Sequence, residues 1–489
     1  MDRIHKKSAL PETTPILLAA HDAGATLPWS RYEQQLPLCG FTNNGLNCRK
    51  CFEGPCRINP FGDEPSRGVC GADRDQIAME NLFQATLEGV LETSRALQQS
   101  GTDEKLPDIA GSIGQRAADR LKAAGLLPVR RSDLYAVQNN YFADKAYLRR
   151  TLADLTRLGL IQYALLQQTG LDGPRPAADG VNVLAIGQPS REFLAGLYQA
   201  AQSVGKHVNV YGKATGLVPA ADLGSPELGL FMNVHALLVA PDSGLPGLAE
   251  LARQHGIPVV CLDGSISPAG AFAEAARRAG QAPAVPSPEI AAPAIPDAGS
   301  RARAIADAAR SGRIAGIAVL CGEASVKQSF FERTIVLMEA AAGARVLTVL
   351  GGSLEPHAAL LKAEVSRRKP GLLEAFASEL GNAVEPVCGL GRAGIPGFVS
   401  AGPREVPTVF SFPEFFRAST WATAVAAFAI GFPVQIGIRL PFWGGTALPG
   451  IFDAWALITG GKLLTAAALP TPAAYADELL ACIKSGGAR

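Results

Sequence analysis

An α/β protein, with an N-terminal helical domain followed by two Rossmann-like parallel-sheet domains, is the fold class that three features of this sequence predict. Apolar residues recur at helical spacing through the first third, with few β-branched runs. From Val181 the texture changes to short apolar strands separated by amphipathic stretches of helix length, the alternation of a parallel sheet with crossover helices. Residues 282–299 hold five prolines and no periodicity, and divide the α/β part in two. The predicted organisation is a helical domain at 1–178, a first Rossmann-like domain at 179–281, a Pro/Ala-rich linker at 282–299 and a second Rossmann-like domain at 300–489.

Taken in order, the periodic stretches of the helical domain run over Asp73–Ser100, Ala117–Leu127 and Tyr141–Gln168. The first sheet draws its strands from VNVLAIG at Val181, HVNVYG at His207, ALLVAP at Ala236 and IPVVCLDG at Ile257. The second draws on GIAVLCG at Gly316, ARVLTVLGG at Ala344, PTVFSF at Pro407 and PVQIGIR at Pro433, and a last amphipathic helix spans Pro472–Lys484. Trp421–Ile438 is apolar enough to tempt a membrane reading, but Thr423, Pro433 and Gln435 interrupt it, so it parses as a buried helix followed by a buried strand.

The chemistry-bearing feature lies near the start. Cys48, Cys51, Cys56 and Cys70 stand in CRKCFEGPCRINPFGDEPSRGVC, four soft thiolates in one small loop, the full complement for a cubane iron-sulfur cluster. Gly54, Gly68 and Gly71 let the backbone turn tightly and bring N–H groups toward cluster sulfurs, and Pro55 stiffens the turn. A structural zinc site is the first alternative, but four-cysteine zinc sites usually pair two CxxC knuckles, which this loop lacks. A disulfide scaffold is the second. A chain of 489 residues with nine cysteines and a large apolar fraction has no need of staples.

Composition narrows the rest. Forty-five basic and 44 acidic side chains give a net charge of +1, which argues against nucleic acid or a polyanionic partner. The expectation is a soluble cytoplasmic protein with no membrane association. GxxxxGK[ST], HExxH and GxSxG motifs are all absent, so the commonest nucleotide-driven and hydrolytic readings fall away. Gly389, Gly391 and Gly394 spell GxGxxG, but Pro396 and Gly397 follow at once and leave no room for a helix start, so this is a glycine-rich loop.

Open α/β sheets collect their chemistry at the carboxyl ends of strands. Cys261 ends PVVC, Cys321 ends IAVLC and Cys388 opens a loop after AVEPV. Packing is the expected role of Cys261 and Cys388, and Cys482 on the last helix is structural or incidental.

The cysteine loop CRKCFEGPCR with GVCGAD behind it, the helical domain, the two α/β domains and the C-terminal AIGFPVQIGIRLPFWGG together resemble the anaerobic nickel-iron carbon monoxide dehydrogenases, relatives of the hybrid-cluster proteins. The resemblance implies a homodimer whose cysteine loop holds a 4Fe-4S relay cluster, with Cys48, Cys51, Cys56 and Cys70 as ligands. It also implies a dimer-axis cluster shared through two cysteines per subunit, which map to Cys39 and to Asn47. An amide is a poor iron ligand beside a thiolate, so that cluster is expected to be lost or altered, leaving Cys39 an idle remnant or an unusual ligand.

Most of the implied nickel-iron-sulfur ligands are missing. Gln188 stands where the resemblance implies a histidine, Lys213, Ala214 and Thr215 follow HVNVYG, and Pro241, Asp242 and Ser243 follow ALLVA. Cys321 matches a ligand position, whereas the next two fall at Gly351 or Gly352 and near Ser411. Where the family places histidines on the helix after the cysteine loop, this chain has Thr93, Ser94 and Arg95.

The leading expectation is therefore a carbon monoxide dehydrogenase-like 4Fe-4S protein without nickel, working with a redox protein partner in electron transfer or redox sensing rather than CO oxidation. The alternative is an oxidoreductase with a rebuilt metal or small-molecule site around Cys321, joined by some of Cys261, Cys388, His357 and Glu323. In that fold Phe330, Phe331, Phe412, Phe415, Phe416, Phe442 and Trp443 line or fill the old cavity, filling being the simpler outcome. A third expectation is a scaffold whose cluster only stabilises the helical domain.

Overall fold

The computed structural model describes residues 7–59, 61, 63–99, 105–113, 115–143, 148–168, 179–187, 189–212, 218–219, 226–231, 233–241, 243, 246–280, 304–305, 307–381, 384–389, 406–440, 448–464 and 471–486. The linker 282–299, with Gln188, Lys213, Ala214, Thr215, Asp242, Gly391, Gly394, Phe442 and Trp443, lies outside them.

Among the described residues, thirteen strands form three sheets. A two-residue hairpin, β1 (Asn47–Cys48) with β2 (Cys56–Arg57), carries the cysteine loop. The first large sheet is wholly parallel, in the order β5-β4-β3-β6-β7, from β3 (Val181–Ile186), β4 (Val208–Gly212), β5 (Val218–Pro219), β6 (Ala236–Val239) and β7 (Val259–Cys261). The second is parallel too, in the order β10-β9-β8-β11-β12-β13. Its members are β8 (Gly316–Cys321), β9 (Val346–Gly351), β10 (Val387–Gly389), β11 (Thr408–Phe412), β12 (Pro433–Ile436) and β13 (Lys462–Leu464). In each sheet the earliest strand lies inside and later strands spread to both sides of it. The strand order therefore reverses between β3 and β6, and between β8 and β11, where doubly wound sheets bind their ligands.

The strands are buried on both faces and read as nearly continuous apolar runs, as parallel sheets require. Helices Arg191–Ser203, Pro268–Ala279 and Pro472–Lys484 start where Ser190, Ser267 and Thr471 accept an N–H from the first turn at 3.1 Å. The stretch Trp421–Ile438 divides into the buried helix Ala418–Ala429 and the buried strand β12. Among the described residues no helix is long and apolar enough to cross a membrane.

Three helices far apart in sequence, Arg74–Gln99, Leu148–Gln168 and Ala418–Ala429, pack on one another. Their closeness depends on glycine: a Cβ at Gly89 would collide with the carbonyl of Ala418, and one at Gly159 would lie 2.6 Å from the Ala429 Cβ. Trp421 Nε1 donates to Thr86 Oγ1 at 2.9 Å, and Trp455 Nε1 to Thr156 Oγ1 at 2.8 Å. One buried core consequently runs through the helices and the second sheet. The first sheet has separate cores on its two faces, and touches the large one through Leu228 beside the Arg31–Glu227 ion pair of 2.7 Å.

Three expectations need correction. Cys388 lies inside β10, paired with Val349, instead of opening a loop; a three-residue edge strand is too short to announce itself in sequence. Cys261 is exposed at the end of edge strand β7, not packed. Phe330, Phe331, Phe412 and Phe415 are buried as filling requires, but Phe416 is exposed.

Candidate metal centre

The four-cysteine loop is built on the hairpin. Asn47 pairs with Arg57 and Cys48 with Cys56, which sets two of the thiols side by side across the strands. The turn between them carries Cys51, whose carbonyl accepts the Gly54 N–H at 3.4 Å. After an exposed excursion the chain returns at Gly68, whose N–H reaches the carbonyl of Ala72 at 2.8 Å. A side chain at Gly54 would meet Cys56 N at 3.0 Å and the Cys48 carbonyl at 3.3 Å, too close to fit without a shift, whereas one at Gly68 would make only ordinary contact with the Cys56 sulfur at 3.5 Å. Gly71, at φ +88°, holds the turn before the next helix.

The base of the loop is anchored to helix Arg74–Gln99. Leu46, Ile58 and Ile77 form a small buried cluster against Cys48 and Ala72. Asn81 donates to the carbonyls of Gly45 at 2.8 Å and Asn47 at 3.2 Å, and Lys50 pairs with Glu80 at 3.1 Å. Asp73 and Gln76 exchange side-chain to backbone hydrogen bonds of 2.9 and 3.0 Å, a capping box that starts the helix three residues after Cys70.

Burial pushes the Cys48 thiol up; the Lys50 N–H works against this, and the charges of Glu80, Cys56 and Cys70 add to it. Cys48 thus lies within electrostatic reach of Cys56 and Cys70. The N–H of Val69 donates to Cys56 Sγ at 3.4 Å, as amides around cluster sulfurs do. Among the described residues no three His, Cys, Asp or Glu side chains converge on a single ion. A cubane makes no such demand, because each thiolate binds a different iron. Four soft donors, an N–H aimed at sulfur and a glycine at the tight turn of Gly54 fit an iron-sulfur cluster.

Cys39 and Asn47 lie on another side of the hairpin. Thr42 Oγ1 donates to Cys39 Sγ at 3.5 Å and accepts from Asn47 Nδ2 at 3.4 Å. The Thr42 N–H and hydroxyl, then the Phe41 N–H, draw the exposed Cys39 thiol down.

At the carboxyl ends of the second sheet the predicted residues are not gathered. Cys321 aligns with Gly351, while Cys388 aligns with Val349 one strand further out, so two strand spacings, ~10 Å, separate the two cysteines laterally. Cys261 is in the other sheet. Burial, then the charge of Glu355, pushes the Cys321 thiol up to about 12. The His357 ring packs on Phe331 with centroids 4.9 Å apart, and its Nδ1 lies 3.0 Å from the Ser353 carbonyl. Glu323 accepts from Thr420 and pairs with Arg417 at 3.5 Å. Ser411 donates to Gln435 Oε1 at 3.0 Å and shares a 2.7 Å hydrogen bond with the Tyr475 hydroxyl.

Sequence reasoning missed the residue that dominates this crevice. Glu414, fully buried just beyond β11, accepts the N–H groups of Ser325 at 3.0 Å and Phe331 at 2.5 Å. It pins the segment after β8 across the strand-order reversal. The available signal was an acid inside the apolar run FSFPEFF, where a charge needs buried partners. On the helix after the cysteine loop Thr93 and Ser94 are buried, and Thr93 accepts from Gln162 at 3.0 Å.

A cysteine-bearing helical domain fused to one of two parallel sheets defines an α/β protein with the fold of the carbon monoxide dehydrogenases. Residues 46–129 match the Prismane/CO dehydrogenase family, so the resemblance carried by the cysteine loop is borne out. Carbon monoxide dehydrogenase 1 of Carboxydothermus hydrogenoformans is 46% identical over 84 residues, covering 17% of this chain and 13% of that protein. The carbon monoxide dehydrogenase of Rhodospirillum rubrum is 49% identical over 76 residues, 16% of this chain and 12% of that protein. These matches span only a small part of the relatives' length. Among solved structures, carbon monoxide dehydrogenase IV from Carboxydothermus hydrogenoformans superposes with a TM-score of 0.74 at 19% identity, over 98% of this chain and 99% of that one. A nickel-free carbon monoxide dehydrogenase from Thermococcus sp. AM4 gives 0.73 at 18%, over 99% and 97%. The fold is shared throughout, and close sequence similarity is concentrated around the cysteine loop.

Proposed function

We propose that this chain is a 4Fe-4S protein of carbon monoxide dehydrogenase fold, without a nickel-iron centre, that serves electron transfer or redox sensing instead of CO oxidation. Cys48, Cys51, Cys56 and Cys70 would hold the cluster, and the bound cluster supplies one-electron transfer. The observation that carries this reading is a contrast. The cysteine loop keeps its four thiols and its N–H to sulfur contact, whereas at the ligand positions of the second sheet Cys321 stands beside Gly351 and a Ser411 already committed to Gln435 and Tyr475.

The protein's own groups set the properties of such a cluster. The Val69 N–H stabilises negative charge on Cys56, and Gly54 lets the backbone turn where a side chain would intrude. The proposal extends to a cytoplasmic homodimer with a redox protein partner. Clustered thiols stay reduced in the cytoplasm. Phe52, Phe61 and Val69 stand exposed in the cysteine segment among Arg49, Arg57, Arg67, Glu53, Asp63 and Glu64, apolar surface amid balanced charge that pairing with a second copy would cover.

The test is iron, acid-labile sulfide and nickel in anaerobically purified protein, with about four irons and four sulfides per chain expected. Near-stoichiometric nickel would overturn the reading. Potentiometry separates it from a purely structural cluster, which would resist reversible reduction.

A further inference from the structure

We propose that Cys39 and Asn47 do not hold a cluster shared across a dimer axis: Cys39, Thr42 and Asn47 close as a hydrogen-bonded unit, and Cys39 remains a free thiol. This rests on the reading of the four-cysteine loop as the cluster site.

Backbone direction is the first constraint: it keeps residue 47 out of the four-cysteine site and leaves its amide to bond elsewhere. Successive residues of a strand point to opposite faces, so residue 47 faces away from the site that Cys48 enters. The hairpin register and the Asn81 hydrogen bond to the Asn47 carbonyl hold that direction fixed.

Side-chain chemistry is the second. Residue 47 offers a neutral amide, which competes poorly with thiolate or sulfide for iron. Its Nδ2 is spent on Thr42 Oγ1, and Thr42 in turn gives its hydroxyl proton to Cys39 Sγ. The relay satisfies Cys39 from within its own chain. The Asn47 Oδ1 is buried and finds no hydrogen-bond partner among the described residues. Arg57, the strand partner of Asn47, lays its guanidinium 5.3 Å from the centre of the Phe41 ring. One thiol per chain, held by a hydroxyl, is left where a bridging cluster needs two.

The experiment is anaerobic alkylation of the iron-loaded protein with iodoacetamide, mapped by mass spectrometry before and after iron is removed with a chelator. Exposed Cys261 serves as an internal reference. Cys39 labelling, relative to Cys261, is expected to be unchanged by iron removal, while Cys48, Cys51, Cys56 and Cys70 become reactive only afterwards. Cys39 released together with those four would overturn the proposal. Labelling of the four before chelation would instead sink the cluster assignment, so the two failures are distinguishable. Cys39→Ser supplies the second readout: iron, sulfide and visible absorbance per chain should stay unchanged, and a drop in any of them would contradict the free thiol.

Discussion

The backbone N–H of Val69 points at the sulfur of Cys56 across 3.4 Å, so the last part of the cysteine segment folds back on its middle. Cys56→Ala should accordingly take iron from about four per chain to near zero, since a cubane lacking one of four thiolates is poorly held. Val69→Pro removes the donor and leaves all four thiols in place. It should keep the iron while moving the reduction potential to a more negative value, as read by potentiometry.

Gly89 has no room for a side chain against the Ala418 carbonyl. Gly89→Val should cost at least ~1–3 kcal/mol of stability, the range for overpacking a close contact. Gly247, inside helix Pro246–Gln254, faces open space, and Gly247→Ala should gain ~0.5–1 kcal/mol. Thermal melts of the two variants should move in opposite directions.

Glu414 makes stability depend on pH. Burial raises its carboxyl to about 8, with the N–H groups of Ser325 and Phe331 acting against the rise. A pKa raised on folding means that the native state binds the extra proton, so the contribution is present below about pH 4.5 and is lost as pH climbs toward 8. Stability should fall by up to ~1.4 kcal/mol per pH unit in that window. In Glu414→Gln the slope should flatten. The amide also puts a donor opposite one of the two N–H groups, at a cost of ~1–3 kcal/mol. Denaturant melts between pH 5 and 8 measure both effects.

His235 should act with the opposite sign in the first sheet. Its Nδ1 accepts the Asn182 N–H at 2.9 Å, which requires the neutral ring, and burial followed by Arg278 draws its pKa below the ordinary value of 6.5. The contribution is therefore present above pH 6.5 and lost as pH falls below it. His235→Gln keeps an acceptor and removes the titration. Amide exchange in β3 and β6 should then no longer quicken on acidification.

The large strands were legible because parallel strands buried on both faces are plain apolar runs; GIAVLCG and PTVFSF coincide with β8 and β11. The last helix was equally clear from its periodicity and its Thr-Pro start. The four thiols showed through spacing alone. What escaped notice depends on partners distant in the chain. Glu414 owes its role to Ser325 and Phe331, Gly89 to Ala418, and the Ser411 contacts to Gln435 and Tyr475. No local pattern encodes such pairings. Cys388 and Cys261 were misplaced for a related reason, since whether an edge residue is covered depends on what packs beside it.

The glycine-mediated meeting of helices Arg74–Gln99 and Ala418–Ala429 also imposes an order on biosynthesis. Thr86 and Trp421, joined by a hydrogen bond, are 335 residues apart. A ribosome releases the first helix long before the surface that buries it exists, and contacts of such separation form late. The helix that supports the four cysteines therefore stays without its packing partner until Trp421 has been made, so its docking, and the rigidity of the loop above it, waits on residues far downstream.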